Sequence, residues 1–360
     1  MKLGLFLMPC HPPEQDVYTG AQWDLDMIQW GDELGYSEAW IGEHFTSPWE
    51  PCPAPDLLIA QALTRTKQIT LAPGSHLLPY HHPAELAHRV AFLDHLAQGR
   101  FMLGIGAGGI PTDLKLFDVE ETNREMMWEA LDIMIRLWTE DEPFEFRGKY
   151  WRVNQPETLH GVLGPHLKPF QQPHPPIGVA AFSAKSDTLR QAGRRGLMPM
   201  SLNLNPTYLD GHWEAVEAGA RSAGRIADRR DWRILRDVFV AETDEEAMRW
   251  AVEGAMGDSY RRAWLPLYQE FHWTDLFKHS PDIADSDVTP EYLAEHTWIV
   301  GSPSTVTEKL EEFVERTGDF GTLLLLTYDY SDSPEPWKES LGLLANEVMP
   351  KLSDSAAVST

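Results

Sequence analysis

The chain contains little cysteine. Cys10 and Cys52 are the only two among its 360 residues, and neither belongs to a CxxC or Cys/His spacing. This scarcity excludes a disulfide-rich secreted scaffold and a structural zinc module. We therefore expect two reduced thiols in a cytoplasmic protein, and we predict no metal site.

Positive charge is also scarce. Lys and Arg number 30 against 55 Asp and Glu, which gives a net charge of −25, and the basic residues form no run. Because such a surface repels nucleic acid and anionic lipid, we expect neither as a partner. No apolar stretch approaches the roughly 18 residues of a membrane-spanning helix. The apolar run at residues 2–8 meets Pro9 too soon for a signal peptide.

What the sequence does contain is a regular alternation of short apolar runs and amphipathic segments. The apolar runs lie at residues 2–8, 37–42, 69–72, 101–105, 177–181, 197–202, 234–240 and 322–327. Helical periodicity follows each of them, as in the segment that begins at Pro83 and ends at Gly99. Eight such units predict an α/β fold, a (β/α)₈ TIM barrel with parallel strands.

Two segments interrupt this alternation. Residues 140–176 are rich in proline, and residues 257–297 are rich in aromatic side chains. Because strands and helices resume after each segment, we interpret both as insertions into a single domain that spans 1–350. Residues 351–360 are predicted to form a flexible tail.

In barrels of this kind the reactive side chains lie on the loops that follow the strands. Met8 ends an apolar run, His11 and His76 each lie just after one, and Trp264 lies in the aromatic insertion. We predict that these four side chains line a substrate pocket.

The glycine-rich stretch 104–109 reads GIGAGG, which matches the dinucleotide pattern GxGxxG by its letters. A dinucleotide site needs a helix that opens at the last glycine, but here Pro111 follows and helical periodicity begins only after about residue 122. A tight turn at the end of a barrel strand is the simpler interpretation. A third fits as well: Gly106 and Ala107 leave room for a flat aromatic ring to lie on the backbone.

Residues 182–186 (FSAKS) join a strand to a helix. Ser183 can cap that helix, and the free N–H groups of the helix start can bind a phosphate. Plain capping and a phosphate site remain alternatives on the residues alone.

Histidines cluster at the strand ends, at positions 11, 44, 76, 81 and 82. A metal site would need converging ligands, but Glu43 and His44 are adjacent on a strand end, so their side chains diverge. His82 is expected at a helix start. His44 is the better catalytic candidate because imidazole can move a proton near neutral pH.

Several segments together resemble the bacterial-luciferase-like flavin monooxygenases, and most of all the limonene and diketocamphane monooxygenases. They are AWIGEHF at 39–45, LLPYHHP at 77–83, LDHLAQGRF at 93–101, GIGAG at 104–108, GKYW at 148–151 and VGSP at 300–303. The resemblance covers nearly the whole chain, and residues 74–109 are its most specific part.

This resemblance implies a site and a reaction. The family binds reduced FMN that a separate NAD(P)H:flavin reductase supplies, and activates O₂ as a C4a-peroxyflavin against a small apolar ketone or alkene. The catalytic histidine corresponds to His44. A non-prolyl cis peptide corresponds to Gly74–Ser75, and with Gly106, Ala107 and Ala181 it completes the flavin site. The phosphate loop corresponds to Phe182, Ser183 and Ser186. The resemblance also implies a mobile lid at 257–297 and a homodimer formed through the second and third helices.

One departure from the family concerns the phosphate. Bacterial luciferase places an arginine after the fourth strand, where this chain has Ala107. The phosphate would then depend on the amides of 183–186, with Lys185 or Arg190. Two other functions remain open on the same barrel: F420-dependent hydride transfer without O₂, and a non-catalytic flavin-binding subunit.

Overall fold

A parallel sheet of nine strand segments curls into a nearly closed barrel, as the sequence predicts. The computed structural model describes residues 1–183, 186–202, 208–280 and 282–352. In sheet order the segments are Thr70–Pro73 (β3), Glu38–Ile41 (β2), Lys2–Leu7 (β1), Thr322–Leu326 (β13), Arg233–Arg236 (β10), Met198–Ser201 (β9), Ile177–Ala181 (β8), Leu103–Gly106 (β5) and His76–Leu77 (β4).

The segments β3 and β4 are two halves of one barrel strand. β3 pairs with β2, and β4 pairs with β5 on the other side. Leu71 of β3 also bridges to Phe101, just before β5. Because this strand contacts both neighbours, the nine segments amount to the eight strands predicted from the sequence.

Helices surround the barrel. They are Val17–Glu33 (α1), Pro55–Arg65 (α2), Pro83–Ala97 (α3), Pro111–Leu116 (α4), Asn123–Thr139 (α5), Asp187–Arg195 (α6), Leu209–Ser222 (α7), Asp244–Glu253 (α8), Ala255–Ser259 (α9), Leu265–Glu270 (α10), Pro290–His296 (α11), Pro303–Thr317 (α12) and Pro334–Leu343 (α13). No helix in the described part of the chain is long and apolar enough to cross a membrane.

The strands follow from continuous apolar runs, because both of their faces are covered. All five residues of β13 are buried, between the barrel interior and the surrounding helices. The helices are instead amphipathic: α12 starts at the Ser302 cap and buries Val306, Leu310 and Phe313. His82 occupies the N-cap position of α3, as predicted.

Side chains fill the barrel interior towards its N-terminal end. Trp40 is fully buried, and its indole lies against the backbones of Gly104 and Gly178, where an added Cβ would approach ring atoms to 3.0 and 2.9 Å. The indole N–H donates to the Glu38 carboxylate at 3.0 Å. Arg233 donates two hydrogen bonds to the same carboxylate, each at 3.1 Å. This end of the barrel is therefore closed.

The structure corrects several local predictions. Residues 140–176 contain a β-hairpin, Phe144–Arg147 (β6) with Arg152–Gln155 (β7). The seventh strand is broken after Arg236, and its second part, Val238–Val240 (β11), pairs with an unpredicted strand, Ile299–Gly301 (β12).

Helical structure also begins earlier than predicted after the glycine-rich stretch. Pro111 occupies the first turn of α4, a six-residue helix too short to show apolar periodicity, so the expectation of a helix only after residue 122 was wrong.

Candidate active site

The loops at the carboxyl ends of the strands gather the predicted site residues at one rim of the barrel. Met8 and His11 follow β1, His44 follows β2, Gly74, Ser75 and His76 connect or begin β3 and β4, Gly106 and Ala107 end β5, and Ala181, Phe182 and Ser183 end β8. Ser186 precedes α6, and Trp264 lies in a π-helical turn, Tyr260–Trp264, within the second insertion. All parallel strands end at this rim. The strand-end residues, together with Ser186 and Trp264, therefore face one opening, which we call the mouth of the barrel.

A wall of small residues lies on one side of this mouth. The Gly74–Ser75 peptide bond is cis, as the family resemblance implies. An added Cβ on Gly74 would lie 2.8 Å from the Cβ of Trp40. On the next strand, an added Cβ on Gly106 would lie 3.1 Å from the Ser75 hydroxyl and 2.9 Å from Leu77. The two strand ends therefore pack closely and leave no room for larger side chains.

His44 lies between two buried carboxylates. Its Nδ1 is 3.5 Å from Asp113 Oδ2, and its Nε2 is 3.8 Å from Glu50 Oε2. The imidazole is 15% exposed, whereas each carboxylate is 1% exposed. Burial alone would lower the pKa of His44, but the charges of Glu50 and Asp113 raise it above its ordinary value. The arrangement suits a group that holds or moves a proton.

Asp113 is fixed as the anion of this group. It accepts hydrogen bonds from the Phe45 N–H at 3.3 Å and from the Thr46 hydroxyl at 2.5 Å. Burial alone would raise the pKa of Asp113, but His44 and these two donors lower it. An ionised Asp113 favours the His44 tautomer with its proton on Nδ1, which leaves Nε2 for the mouth.

Glu43 points away from His44, as the diverging side chains of adjacent residues require. Its two oxygens pair with His76 Nδ1 and His81 Nε2, each at 2.7 Å. Burial opposes the anion, but these two hydrogen bonds lower the pKa of Glu43 to about 2. His76 is 1% exposed and has this nitrogen engaged. The group is thus a paired carboxylate that fixes two rings.

His11 is also paired on both sides. Its Nδ1 is 2.5 Å from Asp329, and its Nε2 is 3.1 Å from Asp24. Burial alone would lower the pKa of His11, but these two carboxylates raise it to about 9. Burial raises the pKa of Asp24, whereas Asp329, which also accepts from the Ser331 N–H, has a lowered pKa. Asp329 is therefore the main counter-ion of His11, and both ring nitrogens are occupied.

Hydrogen bonds to α6 and α7 hold the loop after β8 in place. Ser186, not Ser183 as predicted, caps α6 by accepting from the Leu189 N–H at 3.1 Å. The Ser183 carbonyl instead accepts from His212 Nε2 at 2.9 Å. His212 Nδ1 in turn lies 2.9 Å from the Ser201 hydroxyl. Lys185, predicted to contact the phosphate, lies outside the described residues.

Aromatic side chains of the second insertion cover this loop. Phe182 stacks with Tyr268 at a centroid distance of 6.3 Å and contacts Trp273 at 6.1 Å. Trp264 stacks on the other side of Tyr268, also at 6.3 Å. These four rings form an apolar roof over one side of the mouth.

The start of the insertion is tied to the barrel. Tyr260 and Tyr328 both donate their hydroxyl hydrogens to Asp237, the former at 2.9 Å. Burial raises the pKa of Asp237 to about 6, although both hydroxyls favour the carboxylate. Trp298, beyond the end of the insertion, packs on the Tyr260 ring at 5.1 Å. Both ends of the insertion therefore meet at one point.

Sequence reasoning missed three residues that organise the site. Asp113 lies 69 residues after His44, inside the helix that was not predicted. Glu50 follows His44 by six residues, in a loop without periodicity. His212 lies on the buried face of α7. All three are ionisable residues in or next to segments with apolar neighbours, and this was the one available signal. Many surface residues have the same property, so the signal does not distinguish them.

Known proteins are similar to this chain in sequence and in fold. The luciferase-like monooxygenase family matches residues 1–319. The chain is 36% identical to 3,6-diketocamphane 1,6-monooxygenase of Pseudomonas putida over 98% of each chain. It is 30% identical to limonene 1,2-monooxygenase of Rhodococcus erythropolis, over 96% of this chain and 85% of that enzyme.

A solved structure agrees with the sequence matches. The oxygenating constituent of 3,6-diketocamphane monooxygenase from Pseudomonas putida, a type II Baeyer–Villiger monooxygenase in complex with FMN, superposes with a TM-score of 0.92 at 36% identity, over 98% of each chain. The similarity extends over the barrel and both insertions, which confirms the resemblance inferred from the motifs. This chain belongs to the luciferase-like monooxygenase family.

Proposed function

We propose that this protein is an FMN-dependent monooxygenase that uses reduced FMN and O₂ to oxygenate a small apolar ketone or alkene of terpenoid type. The observation that carries the proposal is His44, a histidine that follows the second strand of the barrel and lies between two buried carboxylates, Glu50 and Asp113. The FMN-bound relative with the same fold supports the choice of cofactor.

The residues at the mouth fit a flat ring system. Gly74, Ser75, Gly106 and Ala107 are small residues at neighbouring strand ends, and we assign one face of the isoalloxazine to them. Phe182 and the aromatic roof can cover the opposite side. An apolar slot with few polar groups is the usual form of such a site.

The loop after β8 fits the phosphate. Ser186 caps the nine-residue helix α6, whose N-terminal dipole favours an anion. Ser183 is exposed, and its carbonyl accepts a hydrogen bond from His212. Arg190 pairs with Asp187 on the exposed side of α6, so its charge is partly neutralised. We therefore assign the phosphate to Ser183 and Ser186 rather than to Arg190.

Reduced FMN supplies the electrons that activate O₂. The chain supplies the proton and the enclosure. His44 would hold or donate a proton to the reacting oxygen through Nε2, while Asp113, at Nδ1, keeps the ring oriented. The roof of Phe182, Tyr268 and Trp273 excludes water, which would otherwise compete for the activated oxygen.

We further propose that the reduced cofactor comes from a separate NAD(P)H:flavin reductase. The relative with the same fold is described as an oxygenating constituent, which supports a two-component system. The related enzymes act, by their names, on diketocamphane and limonene, and this supports a terpenoid-like substrate.

Isotope incorporation tests the proposal. The purified protein is supplied with photoreduced FMN, ¹⁸O₂ and a bicyclic terpenoid ketone, and the products are analysed by mass spectrometry. We expect a lactone that carries one ¹⁸O atom, and we expect the H44N variant to form about a hundredfold less of it.

Two results would contradict the proposal. Consumption of O₂ with release of hydrogen peroxide alone, across a panel of ketones and alkenes, would indicate a flavin-binding protein without oxygenase activity. Reduction of F420 with no response to FMN would indicate hydride transfer on the same barrel.

A further inference from the structure

Glu50 is a buried carboxylate that the proposed reaction does not yet use. It is 1% exposed, and neither of its oxygens has a hydrogen-bond partner of normal geometry among the described residues. A buried carboxylate without a partner is strongly disfavoured unless it is protonated or acts on a neighbouring charge. Its nearest charged neighbour is the His44 ring, at 3.8 Å.

The backbone fixes the two residues opposite each other. His44 donates its N–H to the Cys52 carbonyl at 3.0 Å, and Cys52 donates to the Glu50 carbonyl at 2.8 Å. His44 and Glu50 therefore lie on the two limbs of one closed loop. The Trp49 carbonyl accepts from the His11 N–H at 2.8 Å, which ties this loop to the next strand end. The short distance between the two side chains thus does not depend on a bound ligand.

We infer that Glu50 is the proton-holding partner of His44, so that one proton is shared between the Glu50 carboxylate and the His44 Nε2. When this proton passes from His44 Nε2 to the reacting oxygen, His44 is left neutral and Glu50 is left as a carboxylate. The pair regains a proton from solvent when the roof opens. Glu50 acts through His44 and does not touch the substrate. It is a positioning residue that holds the shared proton at the His44 Nε2.

The surrounding groups support this assignment. Burial raises the pKa of Glu50, although His44 and the Ser47 hydroxyl favour the anion. Asp113 on α4 holds a negative charge on the opposite side of His44, and Glu43 adds a third charge beside it. Cys10 and Tyr268, a residue of the aromatic roof, also lie near Glu50. Both side chains stay neutral because burial raises their pKa.

The negative charges around His44 and Glu50 favour a single proton shared by this pair. With Asp113 and Glu43 ionised, a proton on the His44–Glu50 pair offsets their charge, and loss of that proton would leave three buried anions near one neutral ring. Two groups that interact this closely titrate as a pair, with two apparent pKa values. The proton should therefore be retained to higher pH than on an isolated histidine.

Histidine NMR on the flavin-free, full-length protein tests this inference, which rests on the proposed function only for its chemical role. The His44 signal, labelled with ¹³C and assigned by its loss in H44N, is titrated in the native chain and in E50Q. We expect the His44 pKa to fall in E50Q, because the nearby negative charge is removed. In E38Q, a buried carboxylate-to-amide change at the closed end of the barrel, it should not move.

Kinetics supply the second readout. In E50Q we expect kcat to fall about tenfold, with the alkaline limb of the pH profile moved to lower pH and the KM for the organic substrate nearly unchanged. If E50Q fails to fold, E50D retains the charge but withdraws it from Nε2, and the His44 pKa should then fall by a smaller amount.

An unchanged His44 pKa in a folded E50Q or E50D protein would overturn the inference. So would a loss of activity in E50Q that shows no change in the pH profile, since that result would indicate a purely structural role. If the protein proves not to be an oxygenase, the NMR titration still decides whether the two residues share a proton.

Discussion

The charged His11 ring makes the stability of this barrel depend on pH over a defined range. Its ring lies between Asp24 and Asp329 in the protein interior. Burial alone would lower the pKa of His11, but the two carboxylates raise it from 6.5 to about 9. A group with a raised folded-state pKa stabilises the fold fully below its unfolded pKa. That stabilisation is lost as the pH rises through the folded pKa, here between 6.5 and about 9.

The size of the effect follows from the same two values. A difference of about 2.5 pH units corresponds to roughly 3 kcal/mol, at about 1.4 kcal/mol for each unit. This is an upper bound, because the carboxylates adjust their own protonation when the ring loses its charge. It is nevertheless a large part of the roughly 5–15 kcal/mol that stabilises a typical domain.

Urea unfolding followed by circular dichroism measures this contribution. Native protein and H11Q are compared at several pH values from 6 to 10, so that titrating groups away from His11, Asp24 and Asp329 cancel in the difference. We expect the free energy of unfolding of the native protein to fall by up to about 3 kcal/mol relative to H11Q across this range. A constant difference between the two proteins would refute the assignment of a charged, doubly paired His11.

Three further predictions concern the cofactor, the roof and the quaternary structure. Replacing His212 with alanine should weaken FMN binding about tenfold, measured by fluorescence titration, because the Ser183 carbonyl loses its donor and the phosphate loop is released. Replacing Trp273 with alanine should open the roof and raise the hydrogen peroxide released per O₂ consumed several-fold, without loss of FMN binding; an unchanged ratio would argue against water exclusion by this ring. We predict a homodimer of twice 40.8 kDa by light scattering, and its conversion to monomer when Phe92 and Leu96, exposed apolar residues of α3, are changed to glutamate.

The barrel itself could be predicted because its strands are buried on both faces. Runs such as residues 322–327 have no polar alternation, and only a parallel sheet covered by helices uses eight such runs. The same rule failed for β12, because Ile299–Gly301 is only three residues long and merges with the preceding apolar residues. It also failed for α4, which has too few turns to show a period.

The candidate site could be predicted only in part. His44 and Gly74–Ser75 were identified because a family resemblance maps them onto fixed positions along the chain. The partners of His44 could not be identified from the sequence. Asp113 lies on the short helix α4 and Glu50 lies in a loop, so neither belongs to a periodic pattern that would place it beside His44. The prediction of Ser183 as the helix cap, where the structure has Ser186, failed for a similar reason. Two serines three residues apart are equivalent until the helix start is known.

Trp40 and the Glu38–Arg233 ion pair fill the N-terminal end of the barrel. Because that end is filled, a molecule that binds inside the barrel enters and leaves at the rim formed by the carboxyl ends of the strands. A second exit could be made only at the cost of the residues that hold the strands of the barrel together.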